Sequence, residues 1–365
     1  MAPPAWKRRS DAMSERSTLA VVQPAGRAAP AKAADGAEAS LRHYLEPIAP
    51  LLAVEGVTDL VINRPGEVGI EVAGKWEWHK DERLTLPYLE SLARQIAHHN
   101  RQDIKNEWPL CSAVMPGGER IQIVMAPAVL PERISLTVRK PPSRILATEE
   151  LENLGLFEET RPARPVLSPL QERLVKLHAA SQWREFLEEA VKARLNIVIS
   201  GATGSGKTTL ARALLNRIPE HERVVTGEDT HELEGLKLRN LVHMIYPKDA
   251  AQAQSKIRPK ELMEAALRMR PDRVIFPELR DGAAYYFLRS VASGHPGVIT
   301  TIHANTCAMA WETLTLLVRE SEGACDLDRQ DIKGLLRQTV DVIVQTKRVG
   351  SRYQVVEIEY APDAA

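Results

Sequence analysis

From Leu41 to Leu52 apolar residues recur at helical spacing, and the period then shortens: Val57-Thr58-Asp59-Leu60-Val61-Ile62-Asn63 reads as a strand. The turn signal Arg64-Pro65-Gly66 follows, after which Val68, Ile70 and Val72 alternate with polar positions and lead to Trp76-Glu77-Trp78, so a helix feeds a small antiparallel sheet. Leu84 to His99 returns to helical spacing, and two further strands are predicted at Arg120 to Met125 and Ile134 to Arg139, around a turn at Pro116-Gly117-Gly118. These elements predict a smaller α+β N-terminal domain over 39–142. Lys140-Pro141-Pro142-Ser143 punctuates its end, and the stretch containing Pro162 and Pro165 predicts a linker over 143–165. Residues 1–38, rich in Ala and Pro without apolar periodicity, are expected to form a disordered tail.

Helices around Leu170 to Ala179 and Trp183 to Ala193 then lead into the apolar strand Asn196 to Ser200, and strands and helices alternate through 166–365. That alternation predicts a three-layer α/β nucleotide-binding domain. The strand enters Gly201-Ala202-Thr203-Gly204-Ser205-Gly206-Lys207-Thr208, a complete G-x-x-x-x-G-K-[ST] loop, and Thr209 to Leu215 leaves it as a helix. Gly201, Gly204 and Gly206 let backbone N–H groups and the helix N-terminus close on phosphate, with Thr203, Ser205 and Thr209 in the same cradle. Lys207 is placed to reach the β- and γ-phosphates of a nucleoside triphosphate, and the Thr208 hydroxyl to ligate Mg²⁺. The fold class is therefore α/β, a P-loop nucleotide-binding domain behind a smaller α+β domain, and it is expected to be similar to the RecA-like nucleoside triphosphatases. The loop alone leaves kinase, GTPase, helicase and motor open.

Three downstream runs bear on that choice. Arg223 to Leu233 is rich in β-formers and ends in Glu228-Asp229, acids at the strand end where α/β sheets bind ligands; Glu228 is a candidate to polarise the attacking water or hold Mg²⁺ through water, with Asp229 in support. Pro271 to Arg280 gives a second short apolar run closed by Glu278, placed to orient the Mg²⁺ shell or activate the nucleophile, and Pro277 predicts a bend just before it. In Ser293 to Thr306 an apolar strand ends with Thr301, His303 and Asn305 in alternation, and a neutral His303 beside the γ-phosphate would sense its presence.

Composition trims the alternatives. Lys plus Arg and Asp plus Glu number 48 each, which lacks the basic balance of a dedicated nucleic-acid binder. Cys111, Cys307 and Cys325 are scattered without a C-x-x-C pair, so neither structural zinc nor a disulfide framework is expected; His303 and Cys307 have helical spacing but make only two ligands. No run approaches the length of an apolar span, so no integral membrane segment is expected, and the chain is read as cytoplasmic with at most peripheral membrane association.

Together, Gly-Ala-Thr-Gly-Ser-Gly-Lys-Thr-Thr, Gly-Glu-Asp-Thr-His-Glu-Leu, Pro-Glu-Leu-Arg and Gly-His-Pro-Gly-Val-Ile-Thr-Thr-Ile-His-Ala-Asn-Thr resemble the four signature boxes of the secretion ATPase superfamily, with wording most like the VirB-type traffic ATPases of type IV secretion and conjugation. The likeness extends over residues 40 to 350. It implies a homohexamer that binds ATP between its N- and C-terminal domains and hydrolyses it to drive pilus assembly or transfer of a protein or protein-DNA substrate. The implied partners are channel or pilus-assembly proteins at the inner membrane. It also implies that Glu228 and Glu278 are the acidic pair, that His303 is the phosphate-linked histidine, and that Arg120 and Arg139 of the first domain reach the nucleotide, as arginine fingers do. Arg268, Arg270 and Arg280 are further candidates for nucleotide sensing or subunit contacts. Gly227 stands where an aliphatic residue is common in the family, and Pro277 where glycine is. A type IV pilus or type II secretion motor, a nucleotide-gated scaffold with negligible turnover and a nucleic-acid translocase are the competing readings.

Overall fold

Short, mostly buried strands and a one-sided apolar stripe on a single long helix organise the first half of the chain. The computed structural model describes residues 35–360 and 362, apart from 143, 159, 161–166, 249–252, 254, 281 and 282. The expected tail therefore lies, up to residue 34, outside the described residues, as does part of the expected linker. The helix expected at 41–52 is two helices, α1 (Asp35–Leu45) and α2 (Ala49–Leu52). Pro47, which has no N–H to donate, falls in the turn between them, and Pro50 starts the second.

Strands β1 (Val57–Ile62), β2 (Glu67–Val72) and β3 (Lys75–Lys80) precede helix α3 (Leu86–His99), and β4 (Leu110–Val114), β5 (Arg120–Met125) and β6 (Ile134–Arg139) follow it. All six pair antiparallel in the order β3-β2-β1-β6-β5-β4. Leu89, Leu92, Ala93, Ile96 and Ala97 are the buried positions of α3, spaced i, i+3, i+4, i+7 and i+8, and they meet Leu60, Ile62, Ile123, Leu136 and Val138 of the sheet in one core. The Thr85 hydroxyl accepts from the Tyr88 N–H to start α3. At its end the Asn100 side chain donates to the Ile96 and Val114 carbonyls and accepts from the Val114 N–H, which fastens the helix to β4. Sequence pattern missed β4: only Cys111 and Ala113 turn inward, too weak an alternation to read.

Within the stretch expected as linker, Thr148–Asn153 forms α4. Helix α5 (Pro169–Ala179) opens on a reciprocal cap between Ser168 and Gln171, and α6 (Trp183–Lys192) follows. The remaining elements alternate as β7 (Ile197–Gly201), α7 (Lys207–Leu215), β8 (Val224–Glu228), β9 (Leu241–Ile245), α8 (Pro259–Ala266), β10 (Arg273–Ile275), α9 (Ala283–Ala292), β11 (Ile299–Ile302), α10 (Cys307–Arg319), α11 (Arg329–Thr339), β12 (Val342–Val349) and β13 (Arg352–Tyr360). Ile197 and Ile199 pack with α5, α6 and α7, whereas Val198 faces a core built from α8 to α11. A strand covered on both faces must be apolar throughout, which is why β7 reads as an unbroken run and why the domain has three layers.

Parallel strands run β10-β8-β9 on one side and β11-β7-β12 on the other, with β13 antiparallel at the far edge. The two groups meet just beyond β10. Thr301 donates its N–H to the Pro277 carbonyl, Leu279 donates to the Thr301 carbonyl, and Glu278 bridges to Thr301. Pro277 interrupts the strand, as its missing N–H predicts, yet its carbonyl makes the connection.

Ala37–Ala365 is one compact unit. Val124, Ala128 and Val129 of the N-terminal domain enter the core around α8 and α9, and Val129 bridges to Met244 of β9. Deeper in the joint, fully buried Arg223 donates to the Met269 carbonyl (2.7 Å), Asn63 Oδ1 (2.8 Å), Asn240 Oδ1 (2.5 Å) and Thr137 Oγ1 (3.0 Å), spanning both domains. Burial pulls its guanidinium down to about 9, and it remains charged at neutral pH.

Gly227 has a packing reason to be glycine. A Cβ there would lie 2.8 Å from a Phe276 ring carbon and 2.9 Å from a Leu262 methyl. Gly227→Val is expected to cost about 1–3 kcal/mol through overpacking, and Gly227→Val with Phe276→Leu to recover part of it. Denaturant unfolding checks this, and a single variant as stable as the parent would contradict it.

Candidate active site

The phosphate loop forms where β7 runs into α7, and its glycines divide the steric work. Gly204 (φ +71°) and Gly206 (φ +91°) take left-handed backbone that other residues adopt only under strain. A Cβ on Gly201 would come within 2.7 Å of the Thr346 carbonyl. Helix α7 begins after Gly206 with no side-chain cap, so its first-turn N–H groups stay available to an anion. Thr203, Gly204, Thr208 and Thr209 are exposed along the open side. Ser205 is turned away: its hydroxyl is 2.8 Å from Thr346 Oγ1, which donates to the Ser200 carbonyl, so it braces the loop against β12.

Lys207 is buried, and its Nζ donates to the Gly201 and Ala202 carbonyls (2.8 and 3.0 Å) and, at 3.4 Å, to His303 Nδ1. Burial lowers its pKa, with the Glu278 charge acting the other way. An ammonium held by neutral groups in a glycine cradle is suited to a polyphosphate. On its other side His303 Nε2 lies 3.0 Å from Glu278 Oε1, and Glu278 Oε2 accepts from Arg280 at 2.6 Å. Accepting from Lys207 while donating to Glu278 requires the neutral Nε2–H tautomer of His303. Burial alone would raise the Glu278 carboxyl, but the hydrogen bond and charge of Arg280, with His303, hold it below its usual range. His303 precedes α10, and buried Cys307 directs its thiol to the Ile343 carbonyl, so the two do not share a helix face.

Glu228 is placed differently from the expectation. It is fully buried at the end of β8, where Oε1 accepts from Thr226 Oγ1 (2.5 Å) and lies 2.7 Å from His243 Nδ1. Its Oε2 accepts from the Glu232 and Leu233 N–H groups (2.9 and 3.2 Å). Burial favours the neutral acid, but these donors, His243 foremost, keep the carboxyl below its ordinary range. Glu228 is thus occupied in folding the segment after β8. Within that segment Glu232 interacts electrostatically with Lys207, Glu278 and Arg280, and burial with the nearby Glu278 and Asp229 charges raises its carboxyl. Glu232 was missed, although it stands four residues beyond Glu228 in the same box; His243 gave no local signal because strand register brings it in.

Arg120 and Arg139 sit opposite each other on β5 and β6. With Leu267 and Arg268 they line a cavity of about 410 Å³ whose lining does not include the phosphate loop. Within this chain the structure joins these arginines to Arg268 and not to Lys207. Arg270 instead pairs with Glu71 and Asp272 across the domain joint.

The chain matches the family model described as "Type II/IV secretion system protein" over residues 45–351. It is 46% identical to the type IV secretion system protein VirB11 of Bartonella henselae over 329 residues, 87% of this chain and 92% of that protein. It is 38% identical to the type IV secretion system protein PtlH of Bordetella pertussis, covering 90% and 97% of the two chains. Among solved structures, the VirB11 ATPase from the Brucella suis type IV secretion system, in complex with sulphate, superimposes with a TM-score of 0.82 at 38% identity, over 89% of this chain and 98% of that one. Phosphate loop, acid–histidine chain, fold and relatives agree: the chain belongs to the type II/IV secretion system protein family and is an ATP hydrolase.

Proposed function

We propose that this chain is the hexameric motor of a type IV secretion or conjugation apparatus, peripheral to the inner membrane and held there by channel or pilus-assembly partners. Transport of a protein or protein-DNA substrate would be coupled to its ATP turnover. The observation that carries the site reading is the unbroken chain Lys207–His303–Glu278–Arg280 beside the phosphate loop. Among the described residues no helix is long and apolar enough to cross a membrane, which is compatible with attachment through partners.

Within this reading the first-turn N–H groups of α7, including those of Thr208 and Thr209, bind phosphate oxygens, and Lys207 neutralises them. The exposed Thr208 hydroxyl and the ionised Glu278 carboxylate are hard oxygen donors of the kind Mg²⁺ takes, directly or through water. Bound there, Mg²⁺ would supply charge neutralisation and orient the phosphates. Glu278, with Glu232 next to it, is the group to position and deprotonate water, and His303 links that carboxylate to the lysine. Glu228 supports this arrangement by holding the Glu232 segment. Arg120 and Arg139 are proposed to serve the nucleotide of an adjoining subunit in the ring.

Glu278→Gln preserves shape and removes charge, and steady-state phosphate release is expected to fall about 10²-fold or more with nucleotide binding retained. Parental turnover in this variant would dismiss Glu278 from the chemistry. Stimulation of the unmodified protein by DNA alone would favour the translocase reading.

A further inference from the structure

Behind the phosphate site lies a second cluster of ligating groups. One ring nitrogen of His231, one of His243 and a carboxylate oxygen of Glu228 all lie within 4.8 Å of one another. Two of the edges are already close: His243 Nδ1 is 2.7 Å from Glu228 Oε1 and His231 Nδ1 is 3.3 Å from Oε2. Tetrahedral donors at the usual zinc–nitrogen and zinc–oxygen lengths stand about 3.4 Å apart, so side-chain rotations of under roughly an ångström suffice. The His231 Nδ1 atom is buried yet makes no hydrogen bond among the described residues. An imidazole nitrogen withdrawn from water, without a hydrogen bond and close to a carboxylate oxygen, marks a place for a ligand. The supporting shell exists too, since Thr226 and the Glu232 and Leu233 N–H groups fix the carboxylate from behind.

Both histidines also line a cavity of about 320 Å³, which leaves room for water at an open coordination position. The cavity holds Glu234 as well, and the Arg64 on its wall is paired with Glu67 at 2.6 Å, which moderates its repulsion of a cation. Two imidazoles and one carboxylate suit borderline divalent ions such as Zn²⁺ and Co²⁺ better than Mg²⁺ or Ca²⁺, which prefer oxygen alone.

We propose that Glu228, His231 and His243 bind one divalent transition-metal ion of the Zn²⁺ class, which clamps the segment carrying Asp229 and Glu232 to β9 and thereby regulates ATP turnover. Binding requires each ring to carry its proton on the nitrogen that does not face the metal. The earlier expectation of no structural zinc rested on cysteine spacing, and this site uses no cysteine. Asp229 and Glu232 lie within five residues of the clamp, and Glu232 is in the electrostatic field of Lys207. Fixing that segment fixes part of the nucleotide site.

The test uses the full-length, chelator-treated protein in excess Mg²⁺, so that oxygen sites are filled. Calorimetry with Zn²⁺ is expected to give one ion per chain, and Co²⁺ the visible absorption of a tetrahedral nitrogen-ligated ion. Both signals should weaken at least about tenfold in His231→Ala and vanish in His231→Ala with His243→Ala. His231 is partly exposed and its Nδ1 makes no hydrogen bond among the described residues, so the single variant is expected to fold and to match the parent's metal-free turnover. Added Zn²⁺ should change turnover of the parent and not of His231→Ala. Absence of the Co²⁺ band in the parent, or equal affinity in all variants, would overturn the site. Stoichiometric binding with no change in parental turnover would overturn the clamp.

Discussion

Lys207→Ala is expected to reduce ATP turnover to background, a loss of about 10²–10³-fold or more, with little change in stability. Its ammonium is the buried cation of the phosphate loop, and removing it costs both nucleotide charge compensation and the long contact to His303. Stability should move less because two effects oppose. The Gly201 and Ala202 carbonyls lose a donor, worth about 1–3 kcal/mol each if left dry, but both border an open loop and water can replace the ammonium. Deleting a cation whose pKa is already lowered by burial also relieves a desolvation cost. Phosphate release and thermal unfolding on the same preparation separate the outcomes. Turnover near the parent's would remove Lys207 from the chemistry, and gross unfolding would show that the lysine is a structural element of the loop.

Arg223→Met is the substitution with the largest expected structural effect, a destabilisation of about 3 kcal/mol or more. Methionine fills much of the space, but the Asn63, Asn240, Thr137 and Met269 acceptors lose their common donor in a region without exposure. Asn240 Oδ1 keeps the Asn63 Nδ2 donor, but at about 1–3 kcal/mol for each buried unsatisfied group the other stranded acceptors outweigh the relief of burying no charge. Because Thr137 lies on β6 and Asn63 directly follows β1, thermal unfolding should also broaden or split as the N-terminal sheet is released. Arg223→Lys keeps charge but lacks the fork that reaches both domains, and should fall between the two. A variant with the parental midpoint would show that the polar joint contributes little.

The phosphate loop was legible because its chemistry is contiguous: strand, glycines, lysine and helix occupy one stretch. His303 and Glu278 were legible for a related reason, since each ends a short apolar run. Glu228 was harder to read because an acid at a strand's end has the same local pattern whether it faces ligand or is hydrogen-bonded by the next turn. Here His243, fifteen residues on and brought alongside by β8–β9 pairing, decides the matter. Arg120 and Arg139 were legible as a pair on adjacent strands, but their neighbour Arg268 comes from the other domain. The break at Pro47 was written in the sequence and overridden by periodicity alone, while β4 has too few inward apolar residues to declare itself.

The parallel sheet has a crease. β7 and β12 pair over five positions, whereas the two halves meet at Thr301 through the Pro277 carbonyl and the Leu279 N–H. Glu278 lies in that crease. A small opening there would withdraw the carboxylate from His303, and so from Lys207, while the phosphate loop stayed intact. In the reverse direction, a pull on Glu278 loads the half of the sheet formed by β10, β8 and β9. That half carries Arg223 at its entrance and Met244 against Val129, so the load is delivered to the N-terminal sheet. A displacement at the phosphates would thus have a short path out of the ATPase domain, beginning at a junction of the sheet made by two backbone hydrogen bonds.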